Sequence, residues 1–320
     1  MAASNTSSDT GEFIDSVDRV ALPEPIDHLA DEYATLFDDR DRFLWRWIYS
    51  LFPAFTLSSV PPAVRQDVRI EKTVLTMYVT VLDDLVEQHD DLETLEEARR
   101  LVSDPETANG TRAGVSSEQF EFIETLWSEF RGGVTDAPRH DEFAEILEYD
   151  LRQTSNAMRY SAVLNRNPRI ANLDGARRYD AHNMVMFPYA DVDLMFSPDF
   201  ALKDFGAVRD LIWDLQELAR IGNWLTTWRR EVHEGDYTAG IVVHAIQEGI
   251  VDPGELCQSP SAVVETIANE GIEQRFRERW ERKYREVSNQ KFQAESVDLD
   301  ALVDGMETVF EYHQASEGHK

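Results

Sequence analysis

Residues 73–87 read TVLTMYVTVLDDLVE. The stretch from Thr73 to Leu82 carries no charge, and acids follow it at once at Asp83, Asp84 and Glu87. An uncharged run of this length reads as a buried helix. Pro61-Pro62 suits its start, and it is expected to run to about Gln88. Upstream, Leu29, Tyr33, Leu36 and Phe37, then Phe43, Leu44 and Trp47, recur at three- and four-residue intervals. Downstream, helices are expected over 91–103, 116–131, 138–165, 170–184, 206–234, 238–249, 260–289 and 296–316. Breaks are expected at Asp104-Pro105, Gly132-Gly133, Asn167-Pro168, Pro188, Pro198, Gly235 and Pro253. Alternating β-branched runs and internal repeats are absent. The pattern predicts an all-α protein, one large helical bundle over 23–320 behind a loose polar tail over 1–22, with loops too short to act as linkers.

The composition fits a large core: 42% of the 320 residues are hydrophobic and 10% aromatic, which excludes a disordered chain. The 61 acids against 31 basic residues give a net charge of -30, which argues against nucleic acid and anionic membrane surfaces as partners. The apolar patch near Trp47–Val60 is too short to span a bilayer and is broken by Pro53. The N-terminus has neither a basic start nor an apolar run, so no signal peptide is expected. The single cysteine, Cys257, cannot form an internal disulfide and fits a reducing cytoplasm.

Only Lys72, Lys203, Lys283, Lys291 and Lys320 are lysines. Abundant acid with scarce lysine resembles the proteins of salt-loving archaea and bacteria. The fold is therefore expected to lose stability on dilution, because the screening length grows from ~3 Å at 1 M salt to ~10 Å at 0.1 M. A melting temperature that stays flat or rises as salt falls would contradict this reading and leave the chemistry below untouched.

Three motifs could carry chemistry. Asp83 and Glu87 are spaced i, i+4 on one helix face, and Asp84 lies three before Glu87. Carboxylates emerging from a buried helix repel one another unless protonated or bridged by a cation, and hard oxygen ligands suit Mg²⁺. A partly buried acidic helix end is the other reading. Asn223, Thr227 and Glu231 repeat at i, i+4, i+8 and drift only about 40° per step, forming a column of oxygens. Such a column can chelate a hard cation, or it is a polar stripe with Glu231 paired to an arginine. Arg177-Arg178-Tyr179-Asp180 places an arginine one turn before an aspartate, which suits a phosphate-binding guanidinium or a surface i, i+3 pair.

In order and spacing the set resembles class I terpene synthases (terpene cyclases) of the microbial type, over roughly residues 30–315. Asp83-Asp84-x-x-Glu87 resembles their aspartate-rich motif. Asn223-x-x-x-Thr227-x-x-x-Glu231, 140 residues on, resembles their second metal triad. Arg177, 46 residues before Asn223, matches the diphosphate-sensing arginine, Asp180 the linker and Ala181 the effector at the helix break. Arg230 matches a basic residue that contacts diphosphate, Gly235-Asp236 resembles the family's sequence after the triad, and Tyr312 matches a C-terminal tyrosine that does the same. The sequence departs from the family at Trp224, where Asp is frequent, at Ala181, where Gly is common, near Ala239, where Asn is usual, and at Glu311, where Arg precedes the tyrosine.

The resemblance implies a linear prenyl diphosphate of fifteen or twenty carbons as substrate and three Mg²⁺ ions. Asp83, Asp84 and Glu87 would bind metal from one wall, and Asn223, Thr227 and Glu231 from the other. The product would be a terpene hydrocarbon or alcohol, made by a monomer or homodimer. Tyr78, Phe187, Trp213 and Phe310 are candidate aromatics for a carbocation, or ordinary core residues. A degenerate, non-catalytic prenyl-diphosphate-binding protein and a chain-elongating prenyl transferase are the alternatives. The second is disfavoured because the second motif is not another aspartate-rich one.

Overall fold

The computed structural model describes residues 6–37 and 40–317. Among them the chain is helical and contains no strand. The helices are α1 Thr6–Asp18, α2 Glu24–Leu36, α3 Arg42–Leu51, α4 Arg65–Glu87, α5 Leu92–Ser103, α6 Ser117–Thr135 and α7 His140–Arg166. They continue as α8 Leu173–Arg178, α9 Met186–Met195, α10 Phe205–Glu234, α11 Gly240–Gln247, α12 Pro260–Asn269, α13 Ile272–Ser288 and α14 Leu299–Ala315. No helix of the described residues is long and apolar enough to cross a membrane.

The uncharged run is the centre of the bundle. Val74, Leu75, Met77, Val81 and Leu82 of α4 are buried, and α4 packs against α3, α5, α6, α7 and α9. The other long axis is α10, which packs on α9, α11, α13 and α14. It stops at Gly235, whose φ of 88° makes the left-handed turn that ends a helix, and the Asp236 amide bonds back to the Glu231 carbonyl. Trp224 of α10 is fully buried over Gly240, where a Cβ would fall 2.5 Å from its indole.

The structure departs from the sequence expectation at several breaks. The segment read as a loose tail holds α1, which packs on α3 and α14, with Val17 buried and the Phe13 ring edge-on to Tyr312. The expected helix over 170–184 is α8 followed by a tight turn over Asp180–Met184. The break falls at Val185, held at φ 58°, and Pro188 sits inside the first turn of α9, where its missing N–H removes no helical bond. The expected helix over 260–289 is divided between α12 and α13 at Gly271, which has a φ of 65°. Gly132-Gly133 does not end α6. A side chain at Gly133 would strike Glu71, its Cβ falling 2.0 Å from the carboxyl carbon, so glycine there admits the close approach of α4.

Glu71 pays for that approach electrostatically. Burial, then Glu129 and Asp67, push its carboxyl up to about 8, and Oε2 has no hydrogen-bond partner among the described residues. The folded state therefore holds this proton more tightly than the unfolded chain does. Stability should fall as pH rises from the ordinary carboxylate range through about 8, then level off. Glu71→Gln should raise the melting temperature by several degrees at pH 8.5 and much less at pH 4.5. An equal shift at both pH values would rule this account out.

Candidate active site

A cavity of about 230 Å³ lies between α4 and α10, with α3, α9 and α14 around it. Helical period builds one wall: Thr76, Val79, Thr80, Asp83 and Glu87 line it from a single face of α4. Arg220, Asn223, Thr227, Arg230 and Glu231 line the opposite wall from α10, and Asp236 joins them just beyond its end. Trp47, Ile48, Phe52, Phe55, Tyr189 and Met306 make much of the remainder apolar.

The polar end concentrates like charge. Asp83, Glu87, Glu231 and Asp236 all face the cavity. Burial, then Asp84, pushes the Asp83 carboxyl up to about 6, although Asn183 donates to it at 3.0 Å. Burial, then Asp83, Asp236 and Glu231, holds Glu87 well above the carboxylate range. Burial, then Asp236, takes Glu231 to about 7. Asp83, Glu87 and Glu231 thus resist ionisation, and a bound cation would stabilise their charged forms. The Thr227 hydroxyl donates to the Asn223 carbonyl at 2.8 Å, which leaves its oxygen lone pairs for another partner.

The donors are almost all oxygen, the chemistry of a hard cation with several waters, and so they fit Mg²⁺. Asp83 and Glu87 would hold it on one wall, and Asn223, Thr227 and Glu231 on the other. Among the described residues no three His, Cys, Asp or Glu side chains are grouped to hold one ion by themselves. Each wall would then need oxygens from a ligand or water to complete a shell.

Asp84 is not at the cavity. One residue is about 100° of helical turn, and it carries Asp84 into the protein. There it accepts from the Tyr33 hydroxyl and pairs with Arg40 at 2.6 Å, and it is fully buried. Its contribution is to fix Arg40, which does line the cavity.

The expected Arg177–Asp180 pair is not made. Arg177 projects outward to Glu217 at 3.0 Å and lines, with Ala181 and Trp213, a separate hollow of about 430 Å³. Asp180 is buried and grips Arg220 instead, at 2.7 and 2.8 Å. Arg230 does reach the cavity while pairing with Glu234 at 3.2 Å.

On α14 the cavity is met by Met306, Val309 and His313, not by Tyr312, whose ring packs on Phe13 and whose carbonyl accepts from the Trp47 indole at 3.2 Å. Glu311 is exposed. Of the aromatic candidates none lines the cavity. Tyr78 bonds the Ala98 carbonyl, Phe187 packs on Trp213, and Phe310 stacks on Trp280 at 3.9 Å. The cavity aromatics come instead from α3, the turn after it and α9.

Sequence reasoning missed Arg40, Asn183 and Arg220, and gave Asp236 no role. Arg220 had one local signal, its position three residues before Asn223 and so on the same helix face. No protein-family model matches the sequence, and a search of curated proteins finds no match.

Proposed function

We propose that the chain ionises and cyclises a linear prenyl diphosphate of fifteen or twenty carbons, with Mg²⁺, to a terpene hydrocarbon or alcohol and diphosphate. The observation that carries this reading is the convergence of Asp83 and Glu87 from α4 with Asn223, Thr227 and Glu231 from α10 at the polar end of one otherwise apolar cavity. Bound Mg²⁺ would supply Lewis-acid charge to the leaving group.

The chain's own residues divide the remaining work. The carboxylates, amide and hydroxyl of the two walls keep cationic charge at the polar end. Arg220 and Arg230 add fixed positive charge where the leaving diphosphate gathers the electron pair of the broken C–O bond. The apolar end receives the prenyl chain and keeps water from the allylic cation, whose ring closure uses a double bond of the same chain. Trp47, Phe52, Phe55 and Tyr189 can each steady positive charge by about 0.5–2 kcal/mol. Loss of a proton, or capture of water, ends the sequence as hydrocarbon or alcohol.

The exposed pairing of Arg177 with Glu217 favours a second reading, a binding protein without turnover. Purified protein with C10, C15 and C20 diphosphates and Mg²⁺, at low and high salt, separates the two. Diphosphate release with a volatile product supports the cyclase. Protection against heating by inorganic diphosphate, with no release at any chain length, would leave the binding protein.

A further inference from the structure

This inference rests on the reading above and concerns which cation meets the anionic head of the substrate. The cavity carries four carboxylates at its polar end, so an anion entering it needs a cation already in place. The sequence motif nominates Arg177. Its side chain is 42% exposed, and its Nε and Nη2 both contact Glu217, which Arg279 also holds at 2.6 Å. Reaching the cavity would mean breaking that contact and leaving the separate hollow that Arg177 lines.

Arg220 has the opposite properties. Its side chain is 7% exposed and lines the cavity. Nε and Nη2 donate to the two oxygens of buried Asp180, and Nη1 donates to Asn223 Oδ1 at 2.9 Å. These bonds use three of the five guanidinium N–H groups. They fix the plane of the group and leave two donors with no acceptor among the described residues. Because the side chain lines the cavity, an occupant can accept from them. The Asn223 contact also orders the first residue of the triad on the same helix face. A forked, pre-oriented guanidinium binds phosphate oxygens without reorganisation.

We propose that Arg220, clamped by Asp180, takes the part that the sequence motif gives to Arg177 in binding the diphosphate of the substrate, beside Arg230, and that Arg177 stays outside the cavity. Arg220→Gln alone would leave Asp180 charged and unpaired in the core. The test therefore uses the double variant Asp180→Asn/Arg220→Gln, with Arg220→Lys and Arg177→Gln beside it. Inorganic diphosphate with Mg²⁺ is titrated calorimetrically into each, and far-UV circular dichroism checks the fold.

The double variant should bind about 30-fold more weakly or worse, Arg220→Lys should keep affinity within about tenfold of wild type, and Arg177→Gln should change it by less than about threefold. A loss in Arg177→Gln as large as in the double variant overturns the proposal, as does unchanged binding by a folded double variant. If the double variant does not fold, weaker binding by Arg220→Lys than by Arg177→Gln is the expected order, and equal binding or the reverse order overturns the proposal. Wild type that binds no diphosphate removes this inference and the reading beneath it. Wild type that binds diphosphate but releases none from prenyl diphosphates leaves the inference standing and removes the cyclase.

Discussion

Lys72→Ala should destabilise the protein by about 3–5 kcal/mol, the loss typical of an uncompensated buried charge. Lys72 is fully buried in α4, pairs with Asp193 of α9 at 2.6 Å and donates to the Phe55 carbonyl at 2.8 Å. Asp193 is equally buried and accepts from the Leu57 amide at 2.9 Å. The pair thus ties α4, α9 and the segment after α3 together. Removing the ammonium strands Asp193 in a place where burial already pushes its carboxyl upward. Chemical denaturation should show the loss, and the double variant Lys72→Met/Asp193→Leu should recover most of it. A single variant within about 1 kcal/mol of wild type would show that the charge is compensated elsewhere. Phe52 and Phe55 lie 5.7 and 5.5 Å from the ammonium and also line the cavity, so the damage should reach the apolar end of the site.

Under the proposed function, Asp83→Ala should lower Mg²⁺-dependent diphosphate release by about 10³-fold while leaving the helical circular dichroism signal unchanged. The asymmetry follows from the site. Burial and Asp84 already oppose ionisation of Asp83, so deleting it relieves repulsion and should hold or raise the melting temperature. Asn223→Ala should behave alike in turnover, with a small loss of stability because Arg220 loses one acceptor. Initial rates of diphosphate release and thermal melts on the same samples check both. Full activity in either variant would mean that the proposed metal ligands have been misplaced.

The helical class was legible because α4 and α10 advertise their buried and polar faces at helical spacing. The same period put Asp83 with Glu87, and Asn223 with Thr227 and Glu231. It fails where partners come from far along the chain. Nothing near Asp84 announces that Arg40 and Tyr33 will claim it, and nothing near Asp180 announces Arg220, forty residues on. An i, i+3 pairing with Arg177 was the local guess, and tertiary packing overrode it. Gly132-Gly133 reads as a break until Glu71 of another helix is set against it. Gly271 was overlooked because the residues on both sides of it keep helical period.

Trp224 and Gly240 have a bearing on how this sequence can change. Aspartate at 224 by itself would open a void over Gly240 and bury a carboxylate, and any side chain at 240 by itself would strike the indole. Neither substitution is tolerated first, so the pair forms an epistatic lock and mutational paths to aspartate beside the triad must change both sites together. Libraries that randomise position 224 alone should be depleted of aspartate and other charged residues, whereas joint libraries at 224 and 240 should open combinations that neither single library contains.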